Sequence, residues 1–419
     1  MTNLIKRSGP ILRSGELASV LPSSVGRVLV SSSSAESDLL VAEVEAAGAA
    51  LGAIDCSGIF VAGLNKAVWN AGPQSRVTTF FLTPELRKQA HRTRFLPLCY
   101  QDILALYRAE KPQAALFMCS PPDAEGNCSF GVEVSHIAAL WRDIPIRIAH
   151  INPAMPRTPG DPGIPYAELT AAFEGEQALR GLAGGEPDET SKVIAGLVAS
   201  LVPNGATLQT GLGKLPDAVL AALCGHRDLH LHSGLIGDGA ITLVNSGAMA
   251  PGQSALVGVA IGSPLLYAGL DNPHFQFRPA TVTHDPATLA ATPKLVTINS
   301  AMEVDLFGQV FAEASSRGFL SGPGGASDYA RGARASAGGL RIIALPAAAG
   351  AISRIVAPGA THGPVSLGRF DVDVIVTEYG IADLRFKDPH TRAAALIAVA
   401  APEHREGLEQ AWGTVAAQF

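Results

Sequence analysis

One arrangement occurs twice in this chain and limits the folds open to it: an apolar extended run, a turn of small residues, then a helical stretch. In the first half, Arg27-Val28-Leu29-Val30 leads into Ser31–Ser34 and then AESDLLVAEVEAAG. In the second, Ala206-Thr207-Leu208-Gln209 leads into Gly211–Gly213 and then PDAVLAALCG. Further short apolar runs bounded by turn residues, at Ala114–Cys119, Ile146–Ile151, Leu295–Ile298, Leu340–Leu345 and Val372–Thr377, read as buried strands. Helical patterns follow at Thr391–Val399 and Glu403–Ala411. Alternating strands and helices predict an α/β fold of mainly parallel sheets covered by helices. The polar stretch Gly184-Gly185-Glu186-Pro187-Asp188-Glu189 precedes a helical pattern at Ser191–Leu201, so two related domains are expected, 1–185 and 186–419.

Of the 419 residues 47% are hydrophobic and 16% charged, enough apolar material for large cores and unlike a disordered chain. The longest uninterrupted apolar run, Ala393–Ala401, falls well short of the ~20 residues that span a bilayer. The opening MTNLIKRSGPILRSGE has no apolar signal core, so neither membrane nor secretion is expected. Five scattered cysteines, Cys56, Cys99, Cys119, Cys128 and Cys224, show no zinc-like spacing; they predict reduced thiols, a cytoplasmic setting and no metal. A net charge of −6 without a basic run argues against nucleic acid.

Gly211-Leu212-Gly213, between a strand and a helix, has the geometry of an anion cradle. Glycines let backbone N–H groups approach a phosphate, and a helix N-terminus adds a favourable dipole. With Lys214, Leu215, Pro216, Asp217 and Ala218 it is similar to the pattern G-I-G-x-I-P-D-A. Nineteen residues on, His230-Leu231-His232-Ser233-Gly234-Leu235-Ile236-Gly237-Asp238-Gly239 is similar to H-T-E-M-x-S-D-G. Gly322-Pro323-Gly324-Gly325-Ala326-Ser327-Asp328-Tyr329-Ala330-Arg331-Gly332-Ala333 is similar to G-I-G-G-Q-x-D-F-x-R-G-A. Asn299–Val310 follows I-N-S-x-x-E-V-D-L-x-G-Q-V, and Thr377–Arg385 follows T-E-x-G-x-A-D-L-R. In the first half, Ser120–Gly131 and Asn152–Thr158 follow S-P-P-D-x-x-G-x-x-S-x-G and N-x-x-M-P-R-T. From about Gly26 to Ala411 the chain therefore resembles the acetyl-CoA hydrolase / CoA-transferase family.

The resemblance implies two CoA-transferase-like domains, the second carrying the coenzyme A site, an acyl-CoA as small-molecule partner, and a homo-oligomer. It implies cofactor contacts from Gly211, Leu212, Gly213, Lys214, Leu215, Gly322, Gly324 and Gly325, with the 324–325 backbone N–H groups facing the thioester oxygen. The family's glutamate, which forms a glutamyl-CoA thioester, corresponds to Gly234. A glycine offers no nucleophile. Ser233, its neighbour on a strand, points to the other face, and Leu235 is inert. Thr283-His284-Asp285-Pro286 stands where the pattern is T-N-D-P, placing a histidine, a residue type that titrates near neutral pH, where an asparagine holds the thioester.

Three readings follow. The first is a hydrolase of a thioester, or of a C–C bond in a CoA-linked compound, with Glu378 or His284 as base and Gly325 among the oxyanion donors. The second is a CoA-transferase with a substitute carboxylate such as Glu303. The third is a non-catalytic acyl-CoA binder. Alternation of Met302, Val304 and Leu306 with Glu303 and Asp305 predicts a half-buried strand with both carboxylates away from the apolar face. Loss of the glutamate predicts a widened pocket, an acyl group larger than acetate, and a gain of transferase activity in Gly234→Glu.

Overall fold

The computed structural model describes residues 9–417 except Ala183 and Arg317, so the leader-free reading of the opening MTNLIKRS lies outside the described residues. Two compact units are present. One is the stretch ending at Leu182, joined by Leu256–Thr283; the other is the stretch ending at Ala255, joined by His284 onward.

In the first unit seven strands form one parallel sheet: β1 (Arg27–Val30), β2 (Asp55–Gly58), β3 (Arg76–Thr79), β4 (Thr93–Phe95), β5 (Ala114–Cys119), β6 (Ile146–Ile151) and β7 (Ala171–Glu174). Their order is β4-β3-β2-β1-β5-β6-β7, with Val28 opposite Cys56 on one side and Ala114 on the other. The chain winds outward from β1 and then returns to its other flank at β5. The crevice beyond the carboxyl ends of those two strands is where such sheets bind ligands. The loops there are Ser31–Ser34 and Ser120–Gly131. Helix α1 (Asp38–Ala47) starts where Ser37 accepts a hydrogen bond from Leu40 N and stops at Gly48, whose φ is 51°. Leu40 and Val44 pack with Val28, Val30, Leu116 and Ile148 in a dry core; each such side chain contributes roughly 1.5–3 kcal/mol by leaving water.

The second unit repeats the plan. Strands β8 (Thr207–Thr210), β9 (His230–Ile236), β10 (Leu295–Asn299), β11 (Leu340–Ala344), β12 (Val374–Thr377) and β13 (Gly380–Asp383) lie in the order β9-β8-β10-β11-β12-β13. All pairs are parallel except β12–β13. The reversal now falls between β8 and β10, next to the Gly211–Gly213 turn. Gln209 and Asn299 exchange two amide hydrogen bonds there (3.0 and 3.2 Å), tying the two strand ends together. Helices α2 (Glu189–Leu201), α3 (Lys214–Ala222), α4 (Asp238–Asn245), α5 (Ala326–Ala335), α6 (Pro389–Ala398) and α7 (Pro402–Ala416) complete the unit. Leu396 and Trp412 from the last two helices join Val304, Ile343 and Ile375 in its core.

The alternation expected over 302–306 is not realised. Glu303–Asp305 is the middle strand of a small sheet between Val310–Phe311 and Ile355–Val356, and all three of its residues are buried. Both carboxylates are buried because both are paired. Glu303 accepts from His362 N (2.9 Å) and pairs with His362 Nδ1 (2.8 Å), while Asp305 accepts from Phe307 N, Gln309 N and Gln309 Nε2.

At the β1 end in the first unit, Glu133 accepts hydrogen bonds from Ser32 N (2.9 Å) and Ser32 Oγ (3.0 Å). The residue keeps some surface, but its carboxyl is packed among protein atoms, and loss of hydration pushes it up to about 8 against the Ser32 donors. Three residues on, burial pushes His136 down to about 3. For a carboxyl raised in the folded state, the native protein keeps a proton that the unfolded chain releases, so stability falls as pH rises from about 4.5 to about 8. Glu133→Gln removes that dependence and leaves the opposite, acid-side dependence of His136 in place. Thermal melts of the two proteins are expected to diverge progressively between pH 4.5 and 8, the variant being the more stable. A gap that stays constant or closes across that range contradicts the assignment.

Candidate active site

The site grows from the ends of β8, β9 and β10. After β8 the chain turns through Gly211–Gly213, and Gly213, at φ 112°, adopts a conformation that side chains oppose. Helix α3 then starts at Lys214 with no side chain capping its first turn, leaving backbone N–H groups for a ligand. Helix α5 likewise starts behind a glycine, Gly325, with no side-chain cap. Thus Gly211, Leu212, Gly213, Lys214 and Leu215 form one helix entry, and Gly322, Gly324 and Gly325 lead into another.

The first two second-half motifs are physically one piece. Asp217, in α3, accepts a hydrogen bond from Gly239 N in α4 (2.9 Å). A β-carbon on Gly239 would come within 2.9 Å of the Asp217 Cα, so only glycine allows the helices this approach. Burial holds the Asp217 carboxyl above its usual range, with the Gly239 N–H acting the other way. Between these helices β9 carries His232, Ser233 and Gly234. The Ser233 hydroxyl donates to Leu235 O (2.7 Å) and Thr210 O (3.1 Å), on the face opposite to Gly234.

The space beside Gly234 is not vacant. A β-carbon there would stand 2.5 Å from His284 Cε1 and 2.6 Å from its Nε2. One on Gly325 would stand 2.6 Å from the same Nε2. The imidazole is thus seated in a slot whose two walls are Gly234 and Gly325, the glycine that precedes α5. The expectation of a widened pocket is therefore corrected: His284 enters the volume that a glutamate would need. The gain of transferase activity expected from Gly234→Glu would require the new side chain to displace a ring that is 1% exposed. The Tyr329 ring packs 4.9 Å from that of His284 and 6.2 Å from that of His232.

The other candidates lie apart from this slot. Glu378 follows β12, and its Oε2 accepts from Ala347 N (2.8 Å). Four strand spacings, roughly 19 Å, separate β9 from β12. Arg385 pairs with Asp383, not with Glu378. In the first unit, Arg157 donates to Ser120 Oγ, Pro121 O and Asn127 O and pairs with Asp123, so the two Pro-rich motifs there brace each other. Sequence reasoning overlooked Asp217 as the strut between motifs and Tyr329 as a neighbour of Gly234. The signal for the latter was a tyrosine where the quoted pattern has phenylalanine. Among the described residues no group of three or more His, Cys, Asp or Glu is set to hold a metal ion, and no helix is long and apolar enough to cross a membrane. None of the five cysteines is in a disulfide.

Residues 262–412 match the acetyl-CoA hydrolase/transferase C-terminal domain. The chain is 36% identical over 329 residues to the 4-hydroxybutyrate coenzyme A transferase of Clostridium kluyveri, a match covering 76% of each protein. It is 28% identical over 236 residues to an acetyl-CoA hydrolase of Eremothecium gossypii, covering 50% of this chain and 43% of that one. Among solved structures, RipA from Yersinia pestis superposes with a TM-score of 0.88 at 26% identity, over 97% of this chain and 98% of that one. A 4-hydroxybutyrate CoA-transferase from Porphyromonas gingivalis superposes at 0.78, with 28% identity and 97% of each chain covered.

The slot makes a quantitative prediction. Gly234→Ala overpacks it and is expected to cost about 1–3 kcal/mol, whereas in a His284→Ala background the same change should cost less than about 0.5 kcal/mol. Denaturant melts of the four proteins give the coupling directly. Equal costs in both backgrounds would show that the ring does not occupy this place.

Proposed function

Because the chain belongs to the acetyl-CoA hydrolase/transferase family, and so is an enzyme of acyl-CoA chemistry, we propose that it hydrolyses a CoA-linked substrate without forming a glutamyl-CoA intermediate. The observation that carries this reading is the imidazole standing in the space of a position-234 side chain. Its Nε2 edge borders both the former nucleophile position and the glycine loop proposed to bind the thioester oxygen. In the proposed reaction, water attacks the acyl carbon and its proton passes to His284. The backbone N–H groups of Gly324 and Gly325 hold the oxygen as charge gathers on it. The C–S bond then breaks and the proton leaves with the CoA sulfur. The same groups serve a β-keto CoA compound, in which the bond that breaks is C–C. Coenzyme A would be held by residues 211–215 and by Gly322, Gly324 and Gly325.

A transferase using Glu303 is less well supported, because that carboxylate is buried and already engaged by His362. A silent acyl-CoA binder does not account for an imidazole at the reacting position. Five cysteines outside any disulfide suit the reducing cytoplasm, and we place the enzyme there as a homo-oligomer, in keeping with the family resemblance.

The test is release of free CoA thiol from acetyl-, butyryl- and 3-oxoacyl-CoA with no acceptor acid present. His284→Asn is expected to lower the rate about 10²-fold or more, as for loss of a general base. Glu378→Gln is expected to leave most of it. A loss confined to Glu378→Gln would transfer the base assignment to that residue. Hydroxylamine or borohydride trapping, followed by mass spectrometry, should show no modified Asp or Glu; a modified one means the enzyme is a transferase.

A further inference from the structure

The imidazole of His284 is carried by a bracket built on α5. Two residues beyond it a short helix begins, Pro286–Ala291. Proline at its first position confines Asp285 to extended backbone, and φ −66° with ψ 123° is what the chain adopts there. The Asp285 carboxylate closes the first turn, accepting from Thr288 N (2.8 Å) and Thr288 Oγ1 (2.7 Å). The one residue linking the ring to the helix is thus fixed through both its backbone and its side chain.

The short helix is in turn fixed to α5. Gly325, Gly332 and Ser336 lie at i, i+7 and i+11, on one helical face, and each meets the bracket. At the far end Ser336 Oγ donates to Thr292 O (2.6 Å), just past the end of the short helix. In the middle the fully buried Leu289 lies against Gly332, where a β-carbon would stand 2.5 Å from Leu289 Cβ. At the near end the His284 ring lies against Gly325. The two helices therefore run side by side in one direction, at a separation that leaves no room for a side chain on position 332.

Resting on the hydrolytic reading above, we propose that Gly332 and Asp285 are positioning residues of this centre that act through His284. Gly332 sets the distance of the short helix from α5, and Asp285 sets the angle at which the chain leaves that helix. Together they fix how far Nε2 reaches toward Gly234 and Gly325. Carbon atoms in ordinary contact stand about 3.5–4.0 Å apart, so a methyl group on position 332 would push the short helix outward by about 1 Å. A general base acts only within hydrogen-bond reach of its proton, and a misplacement of about that size costs about 10²-fold in rate.

Gly332→Ala is accordingly expected to lower kcat about 10²-fold on the CoA thioester that wild type cleaves, with KM within about twofold. In a His284→Asn background the same change should lower the residual rate by less than about twofold, because no base is left to misplace. Asp285→Ala should lower kcat roughly tenfold, and Asp285→Asn, which still caps the turn, should restore most of that loss. A second measurement needs no turnover. The Cε1 proton resonance of His284, assigned by its loss in His284→Asn, lies beside the Tyr329 ring (4.9 Å between centroids) and reports where the imidazole stands. It should move in Gly332→Ala and Asp285→Ala and return in Asp285→Asn. Equal rate losses with and without His284, or a resonance unmoved in both variants, overturn the positioning role and leave the hydrolytic reading intact. A loss in Asp285→Asn as large as in Asp285→Ala overturns it too, since the carboxylate would then act by its charge. Should the resonance move as expected in a protein that cleaves no thioester, the hydrolytic reading fails and the placement stands. If Gly332→Ala does not fold, the two Asp285 variants decide.

Discussion

An imidazole held between two glycines governs this centre. His284 Nε2 lies 2.6 Å from where a β-carbon on either Gly234 or Gly325 would stand, so the ring is wedged between strand β9 and the start of α5. Neither wall can acquire a side chain unless the ring shifts. A carboxylate on position 234 and an imidazole at 284 are therefore alternative occupants of one volume. A glutamate side chain at 234 and this histidine cannot share a structure without one of them moving. That exclusion is steric, and it holds whatever the substrate.

The scaffold around the slot makes such close placement possible. Parallel strands deliver their loops to one edge, and the reversal of winding between β8 and β10 opens a crevice there. Motifs far apart in the chain meet at that edge and are fastened to one another. Asp217 fastens α3 to α4 through Gly239, and the Gln209–Asn299 amide pair fastens β8 to β10. Each fastening is a partly buried polar pair whose rupture leaves polar groups short of a partner, so it favours one separation of the loops. In the first unit Arg157 does the same for the loops after β5 and β6. Much of what reads in the sequence as ligand-binding signature is thus also the hardware that keeps the walls in place.

What could be read from the sequence followed the range of the interaction. Ala114–Cys119 was legible to the residue because both faces are covered and the run is continuously apolar, whereas Ile146–Ile151 was legible although Arg147 and His150 interrupt its apolar run. Asp55-Cys56-Ser57-Gly58 gave no such signal. It is a strand because it pairs with β1 and β3, with Ser57 bonded to the Tyr107 hydroxyl and Asp55 to Thr78. The excursion of Leu256–Thr283 into the first unit rests on long-range contacts such as Ser34 Oγ to Ala260 O, which no local pattern encodes. At the site, the missing glutamate and the added histidine were each visible as residues. Their mutual fit was not, because 50 positions separate them and only the fold measures that distance. Glu303 misled for a related reason: alternation suggested an open face, but His362, 59 residues away, closes it.

On the hydrolytic reading proposed above, charge explains why a centre without an attacking carboxylate calls for more than a base. When a glutamate attacks a thioester, one negative charge is present from the start and merely moves along the reacting atoms. When neutral imidazole activates water, the centre begins uncharged and must create an imidazolium and an oxyanion together. In a dry site such a separation is costly unless each new charge meets prepared dipoles. The imidazolium has the oxyanion itself as its partner. The oxyanion needs donors beyond the two backbone N–H groups that serve a reaction without charge creation. On the hydrolytic reading proposed above, the glycine at 234 and the ring at 284 are then two parts of one electrostatic arrangement.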